Sequence, residues 1–235
     1  MAALAALAGI RVYVRLSFCN SILAFVIIVP GGTMGCAHDI KAPRGYSLSL
    51  RCEIVPAYIA LLRGINVSGQ KLVRMERLRE SCAAMGFRSV ETYVQSGNIV
   101  FLDGKKSPSN LSKSIGQAIL RELGFEVPVV VRTSREMRDL IEGNPFLKES
   151  GVDQSKLYVT FLLEAAPKSA LKNLERLSSE PDRFYIGRKE IYLYCPGGYG
   201  RTKLSNAAFE KALSVRATTR NWKTVNTLLE MASKR

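Results

Sequence analysis

Apolar and polar positions follow two periods along the chain, and the order of those periods recurs. Residues 57–63, "AYIALLR", make a short apolar run of strand length. Beyond "GINVSGQK", Leu72, Met75, Leu78, Cys82 and Met85 recur at helical spacing, with Gly86 just past them as a stop. "SVETYVQ" and "NIVFLD" predict two short strands joined by a tight hairpin at Ser96-Gly97. Ser107-Pro108 offers a helix start, and Leu111, Ile115, Ala118, Ile119 and Leu123 give an amphipathic helix that Gly124 closes. "VPVVVR" supplies a fourth strand, and a further helix over 134–142 is broken at Asn144-Pro145.

The second half runs through much of the same order. A strand is predicted at "LYVTFLL", then a helix opening at Pro167 with Leu171, Leu174 and Leu177, then "RFYIG" and "IYLYC" paired around Gly187-Arg188. Helical segments over 204–213 and 219–231 follow. The pattern predicts an α+β protein of two ferredoxin-like (split βαβ) subdomains in tandem, residues 55–145 and 146–235. The second carries the C-terminal helices and lacks a clear last strand. The repeat lies in element order, with no convincing repeat of residues.

Residues 1–54 break the pattern. Up to His38 they hold no acidic residue and only Arg11 and Arg15 as basic ones, and the apolar run "SILAFVIIV" is followed by "PGGTMGC". This resembles a signal peptide poorly, because the basic residues come late, and the run is too short to span a bilayer. Regular patterning begins at "VPAYIALLRGINV", and Val55 is what a GTG initiation codon gives when read internally. Residues 1–54 are therefore expected to be a leader or disordered extension.

Charge and histidine count narrow the chemistry. The chain carries 34 basic and 20 acidic residues, net +14, and residues 55–235 keep 29 and 18, net +11. Such a field attracts anions without selecting one. His38 is the only histidine, which excludes a Ser-His-Asp triad, a Cys-His dyad or a histidine-ligated metal from the main body. Cys82 and Cys195 stand alone with no CxxC spacing, so no structural zinc, disulfide or cofactor is expected, and the chain reads as a reduced, cytoplasmic protein without membrane association. Cys195 is read as a small buried residue at a strand end.

Three short stretches concentrate the candidate chemistry. In a split βαβ unit the loop after the first strand and the hairpin after the second emerge at one end of the sheet. That brings Arg63, Asn66, Ser68, Lys71, Gln95, Ser96 and Asn98 to one rim, with no carboxylate among them. Donors without an acid or base suit an anion better than proton transfer; alternatively Asn66 and Asn98 are turn formers serving the backbone. The second stretch, "CPGGYGRTKL", fits neither a Walker A nor a dinucleotide fingerprint, but Gly197, Gly198 and Gly200 free backbone N–H groups beside Arg201 and Lys203, just ahead of a helix. The competing account is a solvated connection. In the third, "TTRNWKTVN", Thr218 or Thr219 is expected to cap a helix, Trp222 to anchor its apolar stripe in the core, and Arg220 and Asn221 to face a ligand from the first turn.

Together "YIALLRGINVSGQ", "TYVQSGNIVF", "GGYGRTKL" and "TTRNWKTV" resemble the bacterial family of uncharacterised proteins known as domain of unknown function 1697, over 58–231. The resemblance implies two ferredoxin-like subdomains and brings no activity, cofactor or catalytic residue. The expected function is binding of an anionic, phosphate-bearing small molecule. Nucleic acid is the alternative partner, since ferredoxin-like sheets often bind RNA, though no exposed aromatic pair for base stacking is evident. A structural or interaction role is the third; the sequence decides neither catalysis nor oligomeric state.

Overall fold

In the computed structural model, residues 10–14 and 50–235 are described, apart from 68, 70, 105, 175, 176, 178 and 179. The chain divides into two units, Met1–Ile54 and Val55–Arg235. In the first, strands β1 (Ile10–Val14) and β2 (Leu50–Ile54) pair antiparallel, an element absent from the sequence expectation. The apolar run "SILAFVIIV" and His38 lie outside the described residues.

The second unit holds two four-stranded antiparallel sheets. The first half runs β3 (Ala57–Leu62), α1 (Met75–Ala84), β4 (Arg88–Tyr93), β5 (Asn98–Leu102), α2 (Pro108–Leu123), β6 (Val129–Thr133) and α3 (Ser134–Glu142). Its sheet order is β4-β5-β3-β6. The second half runs β7 (Leu157–Leu162), β8 (Arg183–Ile186), β9 (Glu190–Tyr194), α4 (Asn206–Leu213), β10 (Ala217–Asn221) and α5 (Trp222–Ser233), with order β10-β7-β9-β8. Both are the ferredoxin-like arrangement, with first and third strands central.

Three apolar layers hold this together. α1 and α2 cover one face of the first sheet through Leu78, Cys82, Leu111 and Ile115. α4 covers the outer face of the second through Phe209 and Leu213. Between the sheets, Met137 and Leu140 of α3 and Trp222, Val225 and Leu228 of α5 pack with Ile59, Leu61, Val159 and Phe161. Trp222 is thus the core anchor its spacing predicted. Caps fit the boundaries: Ser107 accepts from Asn110 N ahead of α2, and Thr133 and Glu136 form a capping box on α3.

Three expectations change. The second half has its last strand, β10, so Arg220 lies on a strand and Asn221, whose side chain accepts from Thr224 N, is the cap of α5. "ATTRN" holds two β-branched threonines and pairs with β7, and that tertiary pairing decides its conformation. Instead of an α-helix, the segment after Pro167 forms a 3-10 turn, Lys168–Asn173. Leu171 lies in this turn and Leu174 follows it as the cap; Leu174 is buried, and Leu171 and Leu177 pack partly buried against the same core. Leu72, read as helical, precedes α1 and is 70% exposed.

Candidate functional site

The end of β3 and the free edge of β10 open onto a cleft of about 640 Å³ between the two halves. It is lined by Leu62 at the end of β3, Arg63, Gly64, Ile65, Val67 and Lys71 after it, Ser96 of the hairpin, Asn206 of α4, and Thr218, Thr219 and Arg220 of β10. Arg63, Lys71, Ser96 and Arg220 are therefore brought together as candidate ligand-facing residues from distant stretches. Ser68 lies outside the described residues.

The loop and hairpin meet as the split βαβ topology requires. Leu62 N donates to Gly97 O at 2.8 Å, and Asn66 Nδ2 donates to Gln95 O at 2.7 Å and to Val73 O at 2.9 Å. Asn66 Oδ1 accepts from Val73 N at 2.8 Å, and its φ of 53° is left-handed. Asparagine tolerates that conformation while satisfying the loop from within, so Asn66 serves the backbone. Gly97, φ 74°, is enforced by closeness: a Cβ there would lie 2.5 Å from Ile65 Cδ1 and 2.8 Å from Leu62 Cβ. Left-handed backbone also occurs at Lys71, φ 47°, and at the β-branched Val94, φ 50°, a residue that adopts it at a cost.

Arg220 is the polar centre. It is 9% exposed, and all five of its N–H groups are engaged. Nε donates to Asn98 Oδ1 at 2.6 Å, one terminal nitrogen to Thr218 Oγ1 at 2.7 Å and Thr219 O at 2.9 Å, and the other to Leu62 O at 2.7 Å and Ser96 O at 3.0 Å. Every acceptor is neutral, and among the described residues no carboxylate pairs with it. Burial pushes its guanidinium down to about 10, against a smaller opposing effect of Tyr199. Asn98, fully buried, adds bonds from Nδ2 to Tyr93 O and Ser96 Oγ, so it orients Arg220.

Arg63 and Lys71 are only partly committed. Arg63 meets Glu210 Oε2 of α4 at 2.6 Å across the cleft, with side-chain exposures of 29% and 12%, and Glu210 Oε1 also accepts from Ala217 N. Lys71 Nζ donates to Glu126 O at 2.9 Å and lies over the Phe125 ring. Asn221, as the cap of α5, and Asn66 and Asn98 do not line the cleft.

The glycine loop does not line the cleft and touches its wall through Tyr199, which bonds Thr219 and Asn206. Gly197, Gly198, Gly200, Arg201 and Lys203 do not line it. Gly198 N donates to Cys195 O and Arg201 N to Gly198 O, so those two amides are engaged within the loop. Tyr199, in the 3-10 turn Tyr199–Arg201, donates to Thr219 Oγ1 at 3.0 Å and accepts from Asn206 N at 3.2 Å. Thr219 Oγ1 donates to Asn206 Oδ1 at 2.7 Å and meets Thr160 Oγ1 at 2.7 Å. Burial raises the Tyr199 phenol above its ordinary value. Thr218, Thr219, Tyr199, Asn206 and Glu210 are site residues that the sequence reading misses, because "TTRN" reads as a helix cap until β10 is seen to pair.

Two ferredoxin-like halves with a basic cleft between them define the class. The family described as protein of unknown function (DUF1697) matches residues 55–192, and the chain belongs to it. The conserved bacterial protein SP0830 from Streptococcus pneumoniae has a similar structure at 23% identity and TM-score 0.62, covering 76% of this chain and 99% of that one, which speaks to the fold. Among curated proteins none matches. No helix among the described residues is long and apolar enough to cross a membrane.

Proposed function

We propose that the cleft at the end of β3 binds the anionic, phosphate-bearing end of a small ligand. The observation that carries this is Arg220, a buried positive charge whose donors all go to neutral acceptors. A buried charge without a counter-ion is costly, and an anion in the adjoining cleft offsets part of that cost. Arg63 and Lys71 supply charge at the mouth, and Asn206 and Thr219 supply polar groups at the wall. Arg201 and Lys203, exposed beyond the cleft, add attraction at longer range.

Nucleic acid is less well matched. RNA-binding ferredoxin-like domains stack bases on an open sheet face. Here β3 and β5 are buried at every position and β7 at all but Tyr158, with helices on both sides. The test is a thermal-shift series with inorganic phosphate, mononucleotides and a short RNA. A rise in Tm with phosphate or a mononucleotide, reduced by Arg63→Gln with Lys71→Gln, supports the reading. A rise only with RNA, or none with any, refutes it.

A further inference from the structure

The pairing registers align the central strands of the two halves, while their hairpins differ in length, with residues 94–97 between Tyr93 and Asn98 and only Arg188 and Lys189 between Gly187 and Glu190. Leu62 N bonds Gly97 O in the first half, and Leu162 N bonds Lys189 O in the second. Leu61 faces Asn98 and Phe161 faces Glu190. Asn98 therefore corresponds to Glu190 and Gly97 to Lys189, and counting one residue back sets Ser96 against Arg188, as Arg220 corresponds to Arg132.

In the second half, the hairpin carries its own anion. Glu190 Oε1 accepts from Arg188 N at 2.9 Å and Oε2 from Lys189 N at 3.1 Å, so the carboxylate caps two successive amides. Its charge, with that of Glu136, also acts on Arg132, whose guanidinium burial lowers and these carboxylates raise. In the first half the residue at the carboxylate's position is the neutral Asn98, and its side chain turns to Arg220, Tyr93 O and Ser96 Oγ instead. The amides of Ser96 and Gly97 have no acceptor among the described residues. Ser96 lines the cleft beside Arg220.

We propose that an external oxyanion occupies, on the amides of Ser96 and Gly97, the place that the Glu190 carboxylate fills in the second half. The group presents two oxygens to adjacent N–H donors, as a phosphoryl or a carboxylate does, and Arg220 lies behind as the fixed positive charge. This rests on the cleft reading above and specifies its atoms. One half is internally neutralised and the other left open, so the duplicated fold has one external site.

The experiment uses amide chemical shifts of the full chain titrated with inorganic phosphate and, separately, with acetate. In the unmodified protein Ser96 and Gly97 shift saturably while Arg188 and Lys189 do not. Glu190→Ala uncovers the second pair, so Arg188 and Lys189 now titrate as well. Asn98→Glu supplies an internal carboxylate and abolishes the response at Ser96 and Gly97. Should Asn98→Glu fail to fold, the Glu190→Ala spectrum decides alone. Silence of Arg188 and Lys189 in Glu190→Ala overturns the inference while saturable shifts at Arg63 and Lys71 keep the cleft reading; no saturable shift anywhere in the unmodified protein overturns both. A response to phosphate but not acetate assigns a phosphoryl group, and the reverse a carboxylate.

Discussion

Arg132 and Arg220 occupy the same place in the two halves and clasp each half to the other. Arg132, near the end of β6, donates to Leu162 O at 2.6 Å and Lys189 O at 3.1 Å in the second half. Arg220, near the end of β10, donates to Leu62 O at 2.7 Å and Ser96 O at 3.0 Å in the first. Each guanidinium thus closes the last carbonyl of the opposite half's first strand. The exchange is reciprocal and depends on arginine's planar fork of donors.

These clasps set the first prediction. Replacing either arginine with methionine keeps the length and removes the buried charge, but it leaves buried carbonyls unpaired. The loss is expected to be about 2–4 kcal/mol for Arg220→Met, and smaller for Arg132→Met, which gives up fewer bonds. Denaturant unfolding measures both. A gain in stability at position 220 contradicts the assignment.

Asn66 gives the second. Asn66→Ala removes three hydrogen bonds and leaves a residue with no preference for φ 53°. Asn66→Gly removes the same bonds but accepts the backbone. The alanine variant is expected to be less stable than the glycine one by about 1 kcal/mol, and both less stable than the parent. Equal stability of all three implies that the loop is held by other contacts.

The third concerns alkaline pH. Burial first, then the charge of Asp182, pushes the Cys195 thiol from 9.0 up to about 11, and burial with Glu122 pushes Cys82 up to about 12. Folded values above unfolded ones mean that the proton is held more tightly in the native state. That contribution is complete below pH 9 and declines as pH rises toward 11 and then 12. Tm should fall as pH rises from about 9 toward about 11, and fall less in Cys82→Ala with Cys195→Ala. The same slope in both proteins assigns the fall elsewhere.

The fourth separates the cleft from the glycine loop. Arg201→Ala with Lys203→Ala removes charge outside the lining, so phosphate affinity is expected to drop less than about threefold, with the difference vanishing at high salt. A loss that survives high salt places the loop in direct contact with the ligand.

Much of the fold was legible because its cues are local. The Ser107-Pro108 start, the Gly124 stop of α2 and the hairpins at 94–97 and 187–189 follow from composition and period. So was half of the rim, since Arg63, Lys71 and Ser96 follow strands whose ends topology places together. β10 was not, because "ATTRN" alone resembles a cap and becomes a strand only against β7. The residue-level repeat was hidden for a related reason. Pairs such as Tyr58 with Tyr158, Leu62 with Leu162 and Arg132 with Arg220 align only through the registers, and the substitutions between copies, Ala60 to Thr160 and Asn98 to Glu190, blur the rest. The second of those substitutions, Asn98 to Glu190, also makes the two hairpins differ in charge.

Calorimetric titration of the full chain with inorganic phosphate, beside Arg63→Gln with Lys71→Gln, tests the anion site most directly. Saturable binding is predicted in the unmodified protein, weakened at least about tenfold in the variant, the effect of losing charge-assisted hydrogen bonds. Heats that are absent, or equal in the two proteins at every salt concentration, would contradict an anion site in the cleft.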